Sequence, residues 1–111
     1  MNINIIDSYK TKNFADLEKK ISVDFVNKNI LVQALIHRSF LNENKEFPLA
    51  HNERLEFLGD AVLELVVTKY LFENFLNPEG ELTNWRAALV NGSMCANVAH
   101  GLEMEKYLFL S

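Results

Sequence analysis

Chain breakers and covalent staples are scarce in these 111 residues: two prolines, four glycines and one cysteine. A single cysteine, Cys95, excludes a disulfide within the chain and any cysteine-based zinc cluster. So few glycines and prolines exclude collagen-like and low-complexity chains, and they favour helices over a sandwich of many turns. No apolar run approaches the ~18 residues of a membrane span. The first fourteen residues include Asp7 and Lys10 and lack the apolar core of a secretory signal. The expected location is therefore the cytoplasm. Positive charge is not in excess either: 11 Lys and Arg stand against 15 Asp and Glu, a net charge of -4. That balance argues against holding nucleic acid by charge alone. It leaves room for chemistry in which acids hold metal ions.

What is present reads as one all-α domain. Leu17 and Ile21, four apart, predict a helix over Phe14–Ile21. Asn27 or Asn29 is placed to cap the next helix, which carries Ile30, Leu31, Ala34 and Leu35 and closes with the run Ile36–Phe40. Asn42–Leu49, polar and containing Pro48, reads as a loop. Asn52 offers a cap for the longest element, Glu53–Phe75, whose apolar residues lie almost all round the helix. Such a helix is expected to be buried on most sides, against the core or a partner. Asn77–Gly80 reads as a turn, then helices over Glu81–Val90 and Ser93–His100 are separated by a break at Asn91–Gly92. Gly101 stands where a left-handed C-terminal cap belongs, and Tyr107–Leu110 reads as a short apolar tail.

The long helix carries the chemistry. At about 100° per residue, Glu53, Glu56, Asp60 and Glu64 fall within an arc of about 80°. Four aligned carboxylates repel one another. One explanation is a solvated stripe, with Glu53 and Glu56 complementing the helix dipole in the first turn; spacing alone favours it. The other is a hard divalent cation, with Mg²⁺ the natural choice because it takes one or two carboxylates and keeps water for a phosphate substrate. Asp60 lies beyond the reach of the dipole. Phe57 shares the acidic face, which points to a protein partner there rather than plain solvent.

The stretch Asn52-Glu53-Arg54-Leu55-Glu56-Phe57-Leu58-Gly59-Asp60-Ala61-Val62-Leu63 resembles the signature of the ribonuclease III endonuclease domain. Ala34–Phe40 resembles the family's upstream segment; Glu79–Thr83, Arg86–Asn91, Ala99–Leu102 and Tyr107-Leu108 resemble its downstream segments. The resemblance tips the balance toward the metal. It implies an all-α ribonuclease III endonuclease domain that cuts double-stranded RNA in RNA processing, leaving 5′-phosphate and 3′-hydroxyl ends. It implies Mg²⁺, with Mn²⁺ as the alternative ion. Position by position, Glu56 matches a metal-binding Glu, and Asp60 a catalytic Asp that also holds the metal. Glu53 and Glu79 match supporting acids of the catalytic valley. Phe57 matches an apolar residue that enters a socket on the second subunit of a homodimer.

The family completes its site with an Asp and a Glu three residues later on a further helix, and it often carries a double-stranded-RNA-binding domain. Neither is found within residues 1–111, so the expectation is the N-terminal part of the endonuclease domain from a longer protein. The alternative is a non-catalytic helical module for dimerisation or RNA scaffolding. Of the other residues, His37 reads as a structural hydrogen-bonding histidine, while Trp85 and Cys95 read as core. Arg38 and Arg54 are placed either to meet phosphate or to pair with nearby acids.

Overall fold

The computed structural model describes residues 13–111. Among them are six α-helices: α1 Phe14–Ile21, α2 Lys28–Ala34, α3 Arg38–Glu43, α4 Glu53–Asn74, α5 Glu79–Leu89 and α6 Gly92–Gly101. A 3₁₀ turn, Met104–Lys106, comes after them. The only extended pairing among the described residues is a parallel bridge between Ile36 and Phe109. The all-α expectation holds. No described helix is long and apolar enough to cross a membrane.

Short polar side chains start the helices by accepting otherwise unpaired backbone N–H groups. Asn13 Oδ1 accepts from Asp16 N–H at 3.0 Å, Asn27 Oδ1 from Asn29 N–H at 3.0 Å, and Asn91 Oδ1 from Met94 N–H at 2.8 Å. His37 has the same role, its Nδ1 accepting from Ser39 N–H at 3.1 Å. Ile36–Phe40 therefore does not close one helix. The chain breaks after Ala34, and His37 caps a new helix at Arg38 that runs to Glu43, into the expected loop.

The reason for the break lies far along the sequence. His37 N–H donates to the Phe109 carbonyl at 3.0 Å, and Phe109 N–H donates to the Leu35 carbonyl at 2.8 Å. The supposed tail is thus part of the core. Leu17, Leu31, Val32, Leu35, Ile36, Phe40, Phe47, Tyr107 and Phe109 form one buried cluster. Phe109 is 4% exposed, and its ring centroid lies 5.1 Å from that of Phe40 and 5.8 Å from that of Phe47. Truncating it to Ala is expected to cost about 3–5 kcal/mol, the usual range for a buried Phe. A denaturant midpoint unchanged in Phe109→Ala would refute its place in the core.

Other boundaries also differ. Glu79 is the first residue of α5 rather than part of a turn, because Pro78 occupies the cap position. Gly101 stays helical; the left-handed residue is Glu103, φ 56°, whose carboxylate pairs with Lys20 at 3.3 Å and with Lys106. Trp85 rests edge-on against Phe75 but is 38% exposed, and Cys95 is exposed, so neither is a core residue here.

The largest departure is α4. Its extent is as expected to within one residue, but of its side chains only Leu71 is buried among the described residues. Phe57, Leu58, Val62, Leu65, Val66 and Phe72 are all exposed. The helix that reads as central contributes one face to α5 and leaves most of its apolar surface uncovered by the described residues.

Candidate functional site

Helix α4 is held at its first turn. Asn52 occupies the cap position but does not cap with its side chain. Its Nδ2 instead donates to the Ala34 carbonyl and its backbone N–H to the Ile36 carbonyl, both at 2.9 Å. His51 Nδ1 accepts from Glu53 N–H at 3.3 Å. Arg38 grips Glu53 with two bonds, Nε to Oε2 and a terminal nitrogen to Oε1, each 2.7 Å.

Glu56 and Asp60 come next along α4, and both line an open groove of about 710 Å³. Leu63 and Glu64 from α4, Thr83, Arg86 and Ala87 from α5, and Cys95 from α6 line it with them. Neither Glu56 nor Asp60 has an ion pair or hydrogen bond from its carboxylate among the described residues. Glu64, on the same face, is engaged: Arg86 Nε lies 3.5 Å from its Oε1, and a terminal nitrogen of Arg86 donates to Thr68 Oγ1 at 3.1 Å. Arg86 is the one basic side chain among the described lining residues. Sequence reasoning singles out neither Arg86 nor Cys95 for this groove. A cation on α5 facing an acidic stripe on α4 is a usable signal for the first.

The other expected acids lie elsewhere. Glu53 is taken by Arg38 and does not line the groove. Glu79 lines a second, more apolar groove with Phe72, Leu76 and Leu82. The two grooves share Thr83 and Arg86 as a common wall. Phe57 is 83% exposed. Arg38 takes the acid-pairing option open to it, whereas Arg54 has no ion pair among the described residues.

Hydrogen bonding from Arg38 holds the Glu53 carboxyl below its ordinary value against a desolvation cost, with smaller electrostatic help from Arg38, His51 and His37. A depressed carboxylate pKa stabilises the fold at neutral pH, and that contribution is lost as pH falls through the depressed value. Arg38→Gln should therefore flatten the acid side of the stability–pH curve, read from thermal midpoints between neutral pH and the acid transition. An unchanged acid limb would contradict this pairing.

Two carboxylates without protein partners among the described residues, one turn apart, are hard oxygen donors of the kind Mg²⁺ accepts in ones and twos. They are not a complete cage: among the described residues no three His, Cys, Asp or Glu side chains converge on one point. Water, phosphate or groups outside the described residues would have to fill the remaining positions.

Comparison with known proteins identifies the family of the chain. A family model described as Ribonuclease-III-like matches residues 27–111. Ribonuclease 3 of Geobacillus sp. (strain WCH70) is 44% identical over 106 residues, covering 95% of this chain and 43% of that protein. Ribonuclease 3 of Clostridium perfringens is 46% identical over 103 residues, 92% of this chain and 43% of that one. A solved nuclease domain of ribonuclease III from Campylobacter jejuni, described as flexible in a region involved in dimer formation, superposes with a TM-score of 0.79 at 44% identity. It covers 89% of this chain, which in turn covers 66% of that structure. The chain thus spans less than half the length of the curated relatives it matches. The match along most of its residues, in sequence and in fold, is enough to conclude that the chain belongs to the ribonuclease-III-like family.

Proposed function

We propose that residues 1–111 form part of an endonuclease domain that cleaves double-stranded RNA by divalent-metal-assisted phosphodiester hydrolysis, in RNA processing. The observation that carries this reading is the pair Glu56 and Asp60, without protein partners among the described residues, facing one groove of a ribonuclease-III-like chain. Charge repulsion between acids at i and i+4 costs a few tenths of a kcal/mol on a helix, and a cation offsets it.

Glu56 and Asp60 would hold the ion, Mg²⁺ or Mn²⁺. When bound, such an ion supplies Lewis-acid stabilisation of the phosphodiester and a water acidic enough to serve as nucleophile. Asp60, one turn beyond Glu56 along α4, would help hold the ion and orient water beside the phosphodiester. Arg86, at the groove wall, can turn from Glu64 to a phosphate oxygen. Glu53 and Glu79 fit supporting roles, Glu53 at the first turn of α4 and Glu79 in the neighbouring groove. Duplex RNA suits a site that reads shape and backbone, since the deep major groove of A-form RNA hides its base edges. Phe57 fits the contact residue of a homodimer, and the cytoplasm is the compartment assigned to this reading.

The test is a cleavage assay on the complete encoded protein with end-labelled duplex RNA. Mg²⁺-dependent products with 5′-phosphate and 3′-hydroxyl ends, abolished by chelator, are expected, with single-stranded RNA spared. Duplex binding without cleavage in Mg²⁺ or Mn²⁺ would replace this reading by the non-catalytic module.

A further inference from the structure

We propose that Arg38 is a positioning residue for the Glu56–Asp60 pair, acting through Glu53, and that Glu53 is Arg38's anchor rather than a ligand of the ion. The inference rests on the metal reading above and goes beyond it. Both Glu53 carboxylate oxygens accept from Arg38, at 2.7 Å each. A two-pronged contact of this kind fixes orientation as well as distance, because the guanidinium is a rigid planar fork. Glu53 is three residues before Glu56, within the same helical turn. Holding Glu53 therefore holds the turn from which Glu56 projects.

Arg38 is itself unusually well placed to act as a fixed point. It opens α3 directly after the His37 cap. The preceding Leu35–His37 stretch is pinned to Phe109 by two backbone bonds, and the Ala34 and Ile36 carbonyls receive both donors of Asn52. Ser39, next in line, accepts from the backbone N–H of Ser111 at 3.1 Å. The buried cluster and the start of α4 thus meet at one junction, and the Arg38–Glu53 pair is the ion pair that spans it. The other titratable neighbours of Glu53 are His37 and His51, the latter with its Nδ1 3.9 Å from the same oxygen that Arg38 Nε engages. With its charge answered from α3, Glu53 has less to offer a cation than Glu56 or Asp60.

The two roles predict opposite signs. If Glu53 were a ligand masked by Arg38, deleting that nearby cation would free a carboxylate and strengthen cation binding. If Arg38 positions the first turn, deleting it weakens binding. The experiment is a Mn²⁺ titration of the 111-residue chain followed by paramagnetic broadening of backbone amide resonances, which is residue-resolved and tolerates weak affinity. The amide spectrum of each variant also reports its fold. In the wild type, broadening is expected to centre on Glu56 and Asp60 and to vanish in Asp60→Asn. In Arg38→Ala the Mn²⁺ concentration for half-broadening should rise by about tenfold, the lower end of the range for residues that orient metal ligands. Arg38→Lys, which keeps charge and fold but cannot make the fork, should behave like Arg38→Ala. The exchanged pair Arg38→Glu with Glu53→Arg should recover to within about threefold. Unchanged or tighter Mn²⁺ binding in Arg38→Ala and Arg38→Lys overturns the inference while leaving the metal reading in place. Wild-type broadening that ignores Asp60→Asn overturns both.

Discussion

Asp60→Asn is expected to lower the duplex-RNA cleavage rate of the complete encoded protein by about 10³-fold while leaving its helices intact. The size comes from what the side chain is asked to do. A carboxylate that holds an ion and orients water carries several kcal/mol of transition-state stabilisation, and each 1.4 kcal/mol is about a factor of ten. The structural cost should be slight or negative. Asp60 makes no hydrogen bond or ion pair through its side chain among the described residues, and it sits four residues from both Glu56 and Glu64. Removing its charge relieves two like-charge contacts worth about 0.2–0.5 kcal/mol each. The combination is diagnostic: activity falls steeply while thermal stability holds or rises. Parallel single-turnover cleavage and thermal melts would check it. A variant that loses activity only in step with stability would make Asp60 a structural residue and sink its catalytic assignment. Glu56→Gln should behave in the same way.

The contrast between Asp60 and Glu53 marks the reach of the sequence. Both acids lie on one helical stripe, and spacing alone cannot separate them. What separates them is Arg38, fifteen residues away from Glu53 and on another helix. The same is true of the fold. α1 and the body of α4 arise from local spacing and cap residues, and their bounds are legible to within a residue. The break at Leu35–His37 is not, because its cause is backbone bonding to Phe109, over seventy residues on. A local pattern of Leu, Ile and Phe at helical spacing gives no sign of a partner that distant. Glu79 departs from the expected turn for a smaller reason: a proline's fixed φ and missing N–H suit the start of a helix as well as a turn. Cys95 reads as core from its apolar neighbours, although which face of α6 meets the protein depends on α4 and α5. The helical period puts Glu56 and Asp60 on one stripe with Glu53 and Glu64, and the family resemblance is what singles out the two as the proposed metal pair.

Phe57→Ala is expected to weaken self-association by about 10³-fold or more, and the argument starts from its exposure. At 83% exposed, the ring makes almost no contribution to the fold described, so its truncation costs the monomer little. In a two-fold interface the same residue is buried twice. Burying a Phe side chain is worth about 2–3 kcal/mol, so two copies contribute about 4–6 kcal/mol, or roughly 10³- to 10⁴-fold in dissociation constant. Exposure alone does not single Phe57 out, because α4 also exposes Leu58, Val62, Leu65, Val66 and Phe72. Phe72 is the informative control. It is 77% exposed and lies on the same helix, about 22 Å further along at about 1.5 Å per residue. A specific socket for Phe57 predicts that Phe57→Ala shifts the monomer–dimer equilibrium in sedimentation and Phe72→Ala does not. Equal effects from both would mean that α4 associates as an undifferentiated apolar surface, and the assignment of Phe57 as the dimer contact would fall. The location of the ring gives the specific outcome its meaning for function. Phe57 directly succeeds Glu56 and shares its helical turn, so a partner seated on Phe57 would close over the edge of the acidic groove. A loss of duplex cleavage that tracks the loss of dimer, at protein concentrations spanning both dissociation constants, would tie assembly to the chemistry.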